Sequence, residues 1–251
     1  MRSSPSVLSS KSSSSMMTIP IQRKTLTEQV TEAIFDHILN HMQAGSELPS
    51  IERLATEFQV SRIVIREALK TLEAHGIIDI NSGKKAIVKP VNGDIFKIYF
   101  QRVFFADSKN FMELMEFRKA IETVCIVLAS QRRTEEEFTI IQAIYSNMEN
   151  SVTDYVQYTR YDLEFHIQIA SASHNSVLEH LVTSLREVIR NSIENSFRDR
   201  LNNESLQTSL SYHQRIVEAL KTKDTKAAEV AITAHFDDAF NYISHRLTEK
   251  A

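Results

Sequence analysis

Val60-Ser61-Arg62-Ile63-Val64-Ile65-Arg66-Glu67-Ala68-Leu69, running on through Lys70 and Leu72 to Gly76, decides how this chain is read. Ser61 is a good N-cap for a helix that reaches about His75, and Gly76 is a natural stop. Arg62, Arg66 and Lys70 fall at i, i+4 and i+8. They form a basic stripe that begins at the helix's N-terminal end. At about 3.6 residues per turn, Ile65, Ala68 and Leu72 point roughly 100° or more away from it. The apolar face can be buried while the stripe stays exposed. Upstream, Ser50 follows Pro49 as the N-cap of a short helix to Phe58, and Gln59-Val60 joins the two helices tightly. The pair reads as a helix-turn-helix, whose second helix meets base edges and phosphates with its N-terminal end.

The surroundings complete a winged version of that motif over residues 19–90. A first helix is expected from about Thr25 to Met42, with Leu26, Val30, Ile34 and Ile38 marking its buried face. Gly45-Ser46-Glu47-Leu48-Pro49 ends it. After Gly76, Ile77–Ile80 and Ala86–Val88 read as two strands around Asn81-Ser82-Gly83. Lys84 and Lys85 stand at the hairpin tip, placed to touch backbone phosphate or enter a minor groove. Taken alone, a basic stripe is most often only a solvated face; the ordered set is far more specific. The candidate DNA-contacting residues are Ser50, Arg53, Ser61, Arg62, Arg66, Lys70, Lys84 and Lys85. Residues 19–90 hold nine Lys/Arg against nine Asp/Glu, so the basic charge must be focused on the stripe and wing.

The same pieces resemble the winged-helix domain of the GntR family of regulators. They are Leu48-Pro49-Ser50, Leu54-Ala55, the Val60–Leu69 string, Leu72-Glu73 and Gly76-Ile77, and they span nearly all of residues 24–90. The resemblance implies that Ser50, Arg62 and Arg66 meet double-stranded DNA. Two departures stand out. The family usually has Arg where Glu52 stands, with the acid beside it, so that either Arg53 supplies the contact or the helix is rotated locally. Its second wing glycine is Lys85 here.

The whole chain is 251 residues long with a formal net charge of −3, four Gly, four Pro and one Cys. Scarce Gly and Pro argue against many tight turns and for long helices. The fold class expected is mainly α: an N-terminal winged helix-turn-helix followed by a C-terminal all-helical bundle. Cys125, in an apolar run, reads as core packing. One cysteine excludes an intramolecular disulfide and a cysteine-rich zinc site, and fits a reducing, cytoplasmic compartment. No run of about 18 apolar residues occurs, so no membrane partner is expected. Residues 1–18 are serine-rich and lack the apolar middle of a secretory signal. They read as a disordered tail, or as a leader upstream of a start at Met16 or Met17.

After a linker at 91–93, residues 94–248 read as helix almost throughout. Helices are expected at 94–105, 108–130, 135–150, 152–172, 176–202, 206–222 and 225–247. Asp162 and His166 lie four apart on one of them, a spacing that shares a face and can chelate a metal, although such a pair is more often a surface hydrogen bond. His213 and His235 fall on later helices. Alone, each reads as a hydrogen-bonded core histidine. One carboxylate with three imidazoles suits Zn, Ni, Mn or Fe with positions left open.

A second resemblance bears on this. Glu116-Phe117-Arg118 with Glu122, Asp162-x-x-Phe165-His166, Leu178 onward, His213-x-x-Ile216-x-x-Ala219-Leu220, and Ala228 with His235 look like the FCD domain of the FadR-type subgroup. That resemblance implies a divalent metal at Asp162, His166, His213 and His235, with a small carboxylate or sugar acid bound beside it. It also implies that Arg118 pairs with the effector's carboxylate, the alternative being an ion pair with Glu122 at i+4. Asn175, Arg186 and Arg190 are further candidate ligand contacts, and His174 is a candidate extra ligand that reads more simply as neither ligand nor support.

The function expected is a homodimeric, metabolite-responsive transcription regulator, by family default a repressor, on a pseudo-palindromic operator. One alternative keeps the DNA function and makes the histidines structural. The other is a metal-dependent hydrolase, which lacks a separate general base and leaves the winged helix unexplained.

Overall fold

Thr25 opens the first helix with a capping box: its hydroxyl accepts the Glu28 N–H while the Glu28 carboxylate accepts the Thr25 N–H. The computed structural model describes residues 24–80, 85–106, 110–197 and 203–248. The serine-rich segment, the hairpin tip with Lys84, and the side chain of Arg190 lie outside the described residues. Among those described, the chain divides into two units, one ending at Pro90 and the other beginning at Val91.

The first unit holds α1 (Leu26–His41), α2 (Ile51–Glu57), α3 (Arg62–Ala74), β1 (Ile78–Asp79) and β2 (Ile87–Val88). Val30, Ile34 and Ile38 of α1 meet Leu54 of α2 and Ile65, Ala68, Leu69 and Leu72 of α3 in one buried cluster. Leu26 does not join it and is 52% exposed, because the first turn of α1 extends past the core. The strands pair antiparallel, Ile78 with Val88 and Asp79 with Ile87. The loop after α1 adds a third edge that periodicity does not reveal: Gly45 and Leu48 N–H groups donate to Val88 and Ala86, and Val88 donates back to Ser46. Gly76 ends α3 with φ 73°, a left-handed conformation that glycine adopts without strain.

Gln59, in the turn between α2 and α3, has φ 54°. A left-handed conformation costs an L-residue about 1–2 kcal/mol, partly offset by the entropy a glycine would lose. Gln59→Gly is therefore expected to raise stability by about 0.5–1 kcal/mol, read from the denaturation midpoint. A lower midpoint would mean that the Gln59 side chain holds the turn by its own contacts.

The second unit is helical: α4 (Asp94–Ala106), α5 (Asn110–Arg132), α6 (Glu135–Asn150), α7 (Tyr155–Ala172), α8 (Ser176–Phe197), α9 (Asn203–Thr222) and α10 (Thr225–Thr248). Gly93 packs directly on α8 and is not a free joint. Its carbonyl accepts from the Ser184 hydroxyl, and a Cβ there would stand 2.8 Å from the His180 carbonyl oxygen. Helix α7 starts three residues later than periodicity places it, because the Asp154 carboxylate caps it by accepting the Val156 and Gln157 N–H groups.

Helix α5 runs through the middle, against α7, α8, α9 and α10. Two arginines at its end fix its neighbours. Arg132 donates to the Ser173 carbonyl at the end of α7. Buried Arg133 donates to the Leu220 and Lys221 carbonyls at the end of α9. Each guanidinium satisfies orphan carbonyls and opposes the negative end of a helix dipole. Phe165, Phe236, Ile126, Ile141, Leu185, Ile216 and Leu220 fill the interior. Cys125 lies among them, its thiol pushed up to about 12 by burial, which makes it packing and not a nucleophile.

Candidate functional site

The first candidate surface lies on α2, α3 and the wing. Ser50 and Ser61 are N-caps, their hydroxyls accepting the Arg53 and Val64 N–H groups. They set where α2 and α3 begin and leave Arg62, Ile63 and Arg66 exposed on the first turns of α3. The basic stripe is present but it is not bare. Arg62 Nη1 lies 3.6 Å from Glu52 Oε1, Arg53 Nε donates to Glu57 at 2.7 Å, Lys70 pairs with Glu67 at 3.2 Å, and Lys85 pairs with Glu47 at 2.8 Å. Arg66 is the member of the set that makes no ion pair among the described residues. The Glu52-Arg53 order thus turns Arg53 along its own helix and places Glu52 against Arg62.

The second candidate lies inside the helical unit. Asp162 and His166 of α7, His213 of α9 and His235 of α10 each bring one donor atom into a group within 4.8 Å of one another. The three imidazoles are buried and Asp162 is partly exposed. His213 Nε2 is 3.2 Å from His166 Nε2 and 3.0 Å from Asp162 Oδ1. Phe165 stands edge-on to His166 and His213, and Phe236 lies beside His235. These rings wall the imidazoles off from water.

The hydrogen bonds behind the donors fix which nitrogen faces inward. His166 Nδ1 lies 2.7 Å from a Glu122 oxygen, and His213 Nδ1 lies 2.9 Å from the Ser209 carbonyl. A neutral imidazole that donates from Nδ1 presents a lone pair at Nε2. Two nitrogen lone pairs and a carboxylate oxygen thus converge on one point, which calls for a cation there. A carboxylate or carbonyl behind each ligating imidazole is the usual support of a metal site. The residues present therefore fit a divalent ion.

The surrounding charges keep the donors in the required form. Glu122 accepts from Arg118 Nε, from Arg186 Nε and Nη2, and faces His166. Burial alone would push its carboxyl up, yet Arg186 foremost, with His166 and Arg118, holds it well below the ordinary carboxylate range. Burial likewise opposes ionisation of Asp162, but His213 beside it and Arg186 hold it well below its usual value. Burial and Arg186 push His166 down to about 4, and burial with the two neighbouring imidazoles holds His235 well below normal. Asp162 is thus held as an anion, and His166 and His235 as unprotonated imidazoles.

The remaining candidates divide. Arg118 takes the alternative geometry, an ion pair with Glu122 at 2.9 Å, with its guanidinium 5.0 Å from the Phe236 ring centroid. Arg186 bridges Glu122 and Asp162, so it positions the donors. Asn175 belongs elsewhere: its side-chain carbonyl accepts the Leu178 N–H at the start of α8. His174, at φ 51° just past α7, pairs with Glu137. Glu122 is the residue that the sequence undervalued. Its i+4 spacing from Arg118 was legible, whereas its reach to α7 and α8 was not.

Comparison with known proteins gives two family models. Residues 26–88 match the model described as bacterial regulatory proteins, gntR family, and residues 113–238 match the FCD domain. The chain is 30% identical over 234 residues to the HTH-type regulator YcbG of Bacillus subtilis, itself described as uncharacterized, covering 92% of this chain and 95% of that one. It is 27% identical over 205 residues to the HTH-type transcriptional regulator LutR of the same organism, covering 81% and 94%. It is 26% identical over 222 residues to the HTH-type transcriptional repressor NanR of Salmonella newport, covering 87% and 85%. Among solved structures, a GntR protein of Streptococcus agalactiae superposes with a TM-score of 0.67 at 22% identity, over 86% of this chain and 100% of that one. This likeness supports the fold. The relatives are regulators, which removes the hydrolase alternative.

Proposed function

The chain belongs to the GntR family of bacterial regulatory proteins, with an FCD domain behind its winged helix, and is a transcription regulator that binds double-stranded DNA; from that premise we propose that a small anionic metabolite, held at a metal centre in the helical unit, sets its affinity for an operator. The observation that carries the proposal is the convergence of Asp162 Oδ1, His166 Nε2 and His213 Nε2, backed by Glu122 and the Ser209 carbonyl. Asp162, His166, His213 and His235 would hold the ion, and their oxygen-and-nitrogen set suits Zn, Ni, Mn or Fe. When bound, the ion supplies a Lewis-acidic anchor for a carboxylate.

The chain's own charges support the class of effector. The two guanidiniums of Arg118 and Arg186 are matched by the two carboxylates of Glu122 and Asp162. A divalent ion adds positive charge to this balanced set, and an anion offsets it, since unpaired charge is costly away from water. A small carboxylate or sugar acid fits. Asp162 has the only partly exposed side chain of the four donors, 25% accessible, and so marks the side from which the effector enters. Val91 just before α4, Ile95, Ile98 and Tyr99 on α4, and Phe117 and Val124 on α5 expose apolar side chains. This surface supports a homodimer that sets two copies of α3 on a pseudo-palindromic operator in the cytoplasm. The effector must bind the DNA-competent and incompetent dimers unequally to act as a switch. The repressor designation of one relative favours release of DNA by effector.

The test begins with metal content. The full chain purified without chelator is expected to carry about one divalent ion per protomer, with His213→Ala and Asp162→Asn each losing it at unchanged helicity. Anisotropy titration against the DNA upstream of its own gene, at fixed salt because phosphate contacts are salt-dependent, then reads whether small carboxylates shift affinity only in the metal-loaded protein. A metal-free protein that takes up none of the four ions yet responds to carboxylates would replace the metal reading with a sensor whose histidines are structural.

A further inference from the structure

Carboxylates crowd the surface that meets DNA. Of the ion pairs there, Arg53–Glu57 and Lys70–Glu67 lie along single helices, and Lys85–Glu47 ties the wing to the loop before α2. The Glu52–Arg62 pair differs in kind. It crosses from the first turn of α2 to the first residue of α3, the end of the helix that meets bases, and both side chains are about 60% exposed or more. An exposed pair at 3.6 Å is weak in water. A stronger contact can therefore displace it, and a nonspecific one must compete with it.

We propose that Glu52 is a specificity-determining residue that restrains Arg62 from contact with phosphate and so suppresses binding to DNA of arbitrary sequence. Nonspecific binding is almost entirely phosphate neutralisation with counterion release. A guanidinium that already faces a carboxylate gains less from a phosphate. A base edge in the major groove offers the Arg62 fork two hydrogen bonds in fixed geometry, enough to draw it from Glu52 where the sequence is right. Arg66, without a carboxylate partner among the described residues, remains the general anchor. The cost of the acid thus falls on wrong sequences more than on the right one.

This rests on the DNA-binding reading, and the test separates the two. The full-length chain, Glu52→Gln, Arg62→Ala and the double variant are titrated against a labelled duplex of random sequence across a series of salt concentrations. Glu52→Gln is expected to steepen the slope of log K against log salt by about 0.9, one further phosphate contact, which corresponds to about eight-fold tighter binding at 0.1 M salt relative to 1 M. The gain is expected to vanish in the Arg62→Ala background. Equal affinity and slope for Glu52→Gln and the parent chain would overturn the inference. So would a gain that survives without Arg62, since Glu52 would then act on phosphate alone. A parent chain that binds no duplex under any of these conditions would sink the DNA-binding reading and this inference with it. Glu52 is exposed, so equal melting temperatures are expected and confirm that the variant is folded.

Discussion

Arg66→Ala is expected to lower operator affinity by about 1–3 kcal/mol per half-site, roughly 5- to 150-fold, while leaving the melting temperature unchanged. The size follows from losing the one guanidinium on the reading face that, among the described residues, needs no ion pair broken before it can meet DNA. The unchanged stability follows from its exposure: the buried face of α3 is Ile65, Ala68, Leu69 and Leu72, and Arg66 stands outside it. Quantitative footprinting of the parent and variant on the upstream DNA checks both points. If Arg66 meets a base, the loss is concentrated on one operator position; if it meets only phosphate, affinity falls on every sequence and the salt slope flattens by about 0.9. Unchanged affinity would remove α3 as the reading helix.

Glu122→Ala is expected to be the most destabilising single change in the helical unit, by about 3–5 kcal/mol. Glu122 is 3% exposed and receives Arg118 and Arg186, so its removal leaves two buried guanidiniums short of a counter-charge. Glu122→Gln keeps the shape and asks a narrower question. The amide no longer neutralises the arginines or holds the His166 Nδ1 proton as firmly. Metal affinity is expected to fall about 10- to 100-fold, the usual cost of losing the group behind a ligand. Denaturation midpoints and competitive chelator titration of the two variants measure these effects separately. A Glu122→Gln protein with full metal affinity would show that His166 is oriented by packing against Phe165 and His235 alone.

Some of this was legible before any coordinates because the physics is local. Ser50 and Ser61 as N-caps, Gly76 as a stop and the four-residue spacing of Val30, Ile34 and Ile38 each depend only on neighbours within a turn or two. The structure places all of them as read. The four donors were legible for a different reason, namely residue type at positions matching a known domain, since nothing in their spacing says that α7, α9 and α10 meet. Leu26, read as buried, is half exposed, because periodicity finds a helix face and does not say where the core ends along it.

Sequence alone determined the two-part, mainly helical architecture with its helix-turn-helix, and it named the four residues that cluster in the helical unit, since caps, periodicity and motif carry those. Tertiary structure decided how charges are shared, because an ion pair is set by distances of a few ångströms between elements far apart in the chain. It turned Glu122 from the i+4 partner of Arg118 into the support of His166, and it made Arg186 a bridge between carboxylates, with Arg118 bound to Glu122. It also set Glu52 against Arg62. Each of these depends on which helix lies across from which, and that is fixed by the packing of α2 on α3 and of α5 against α7 and α8.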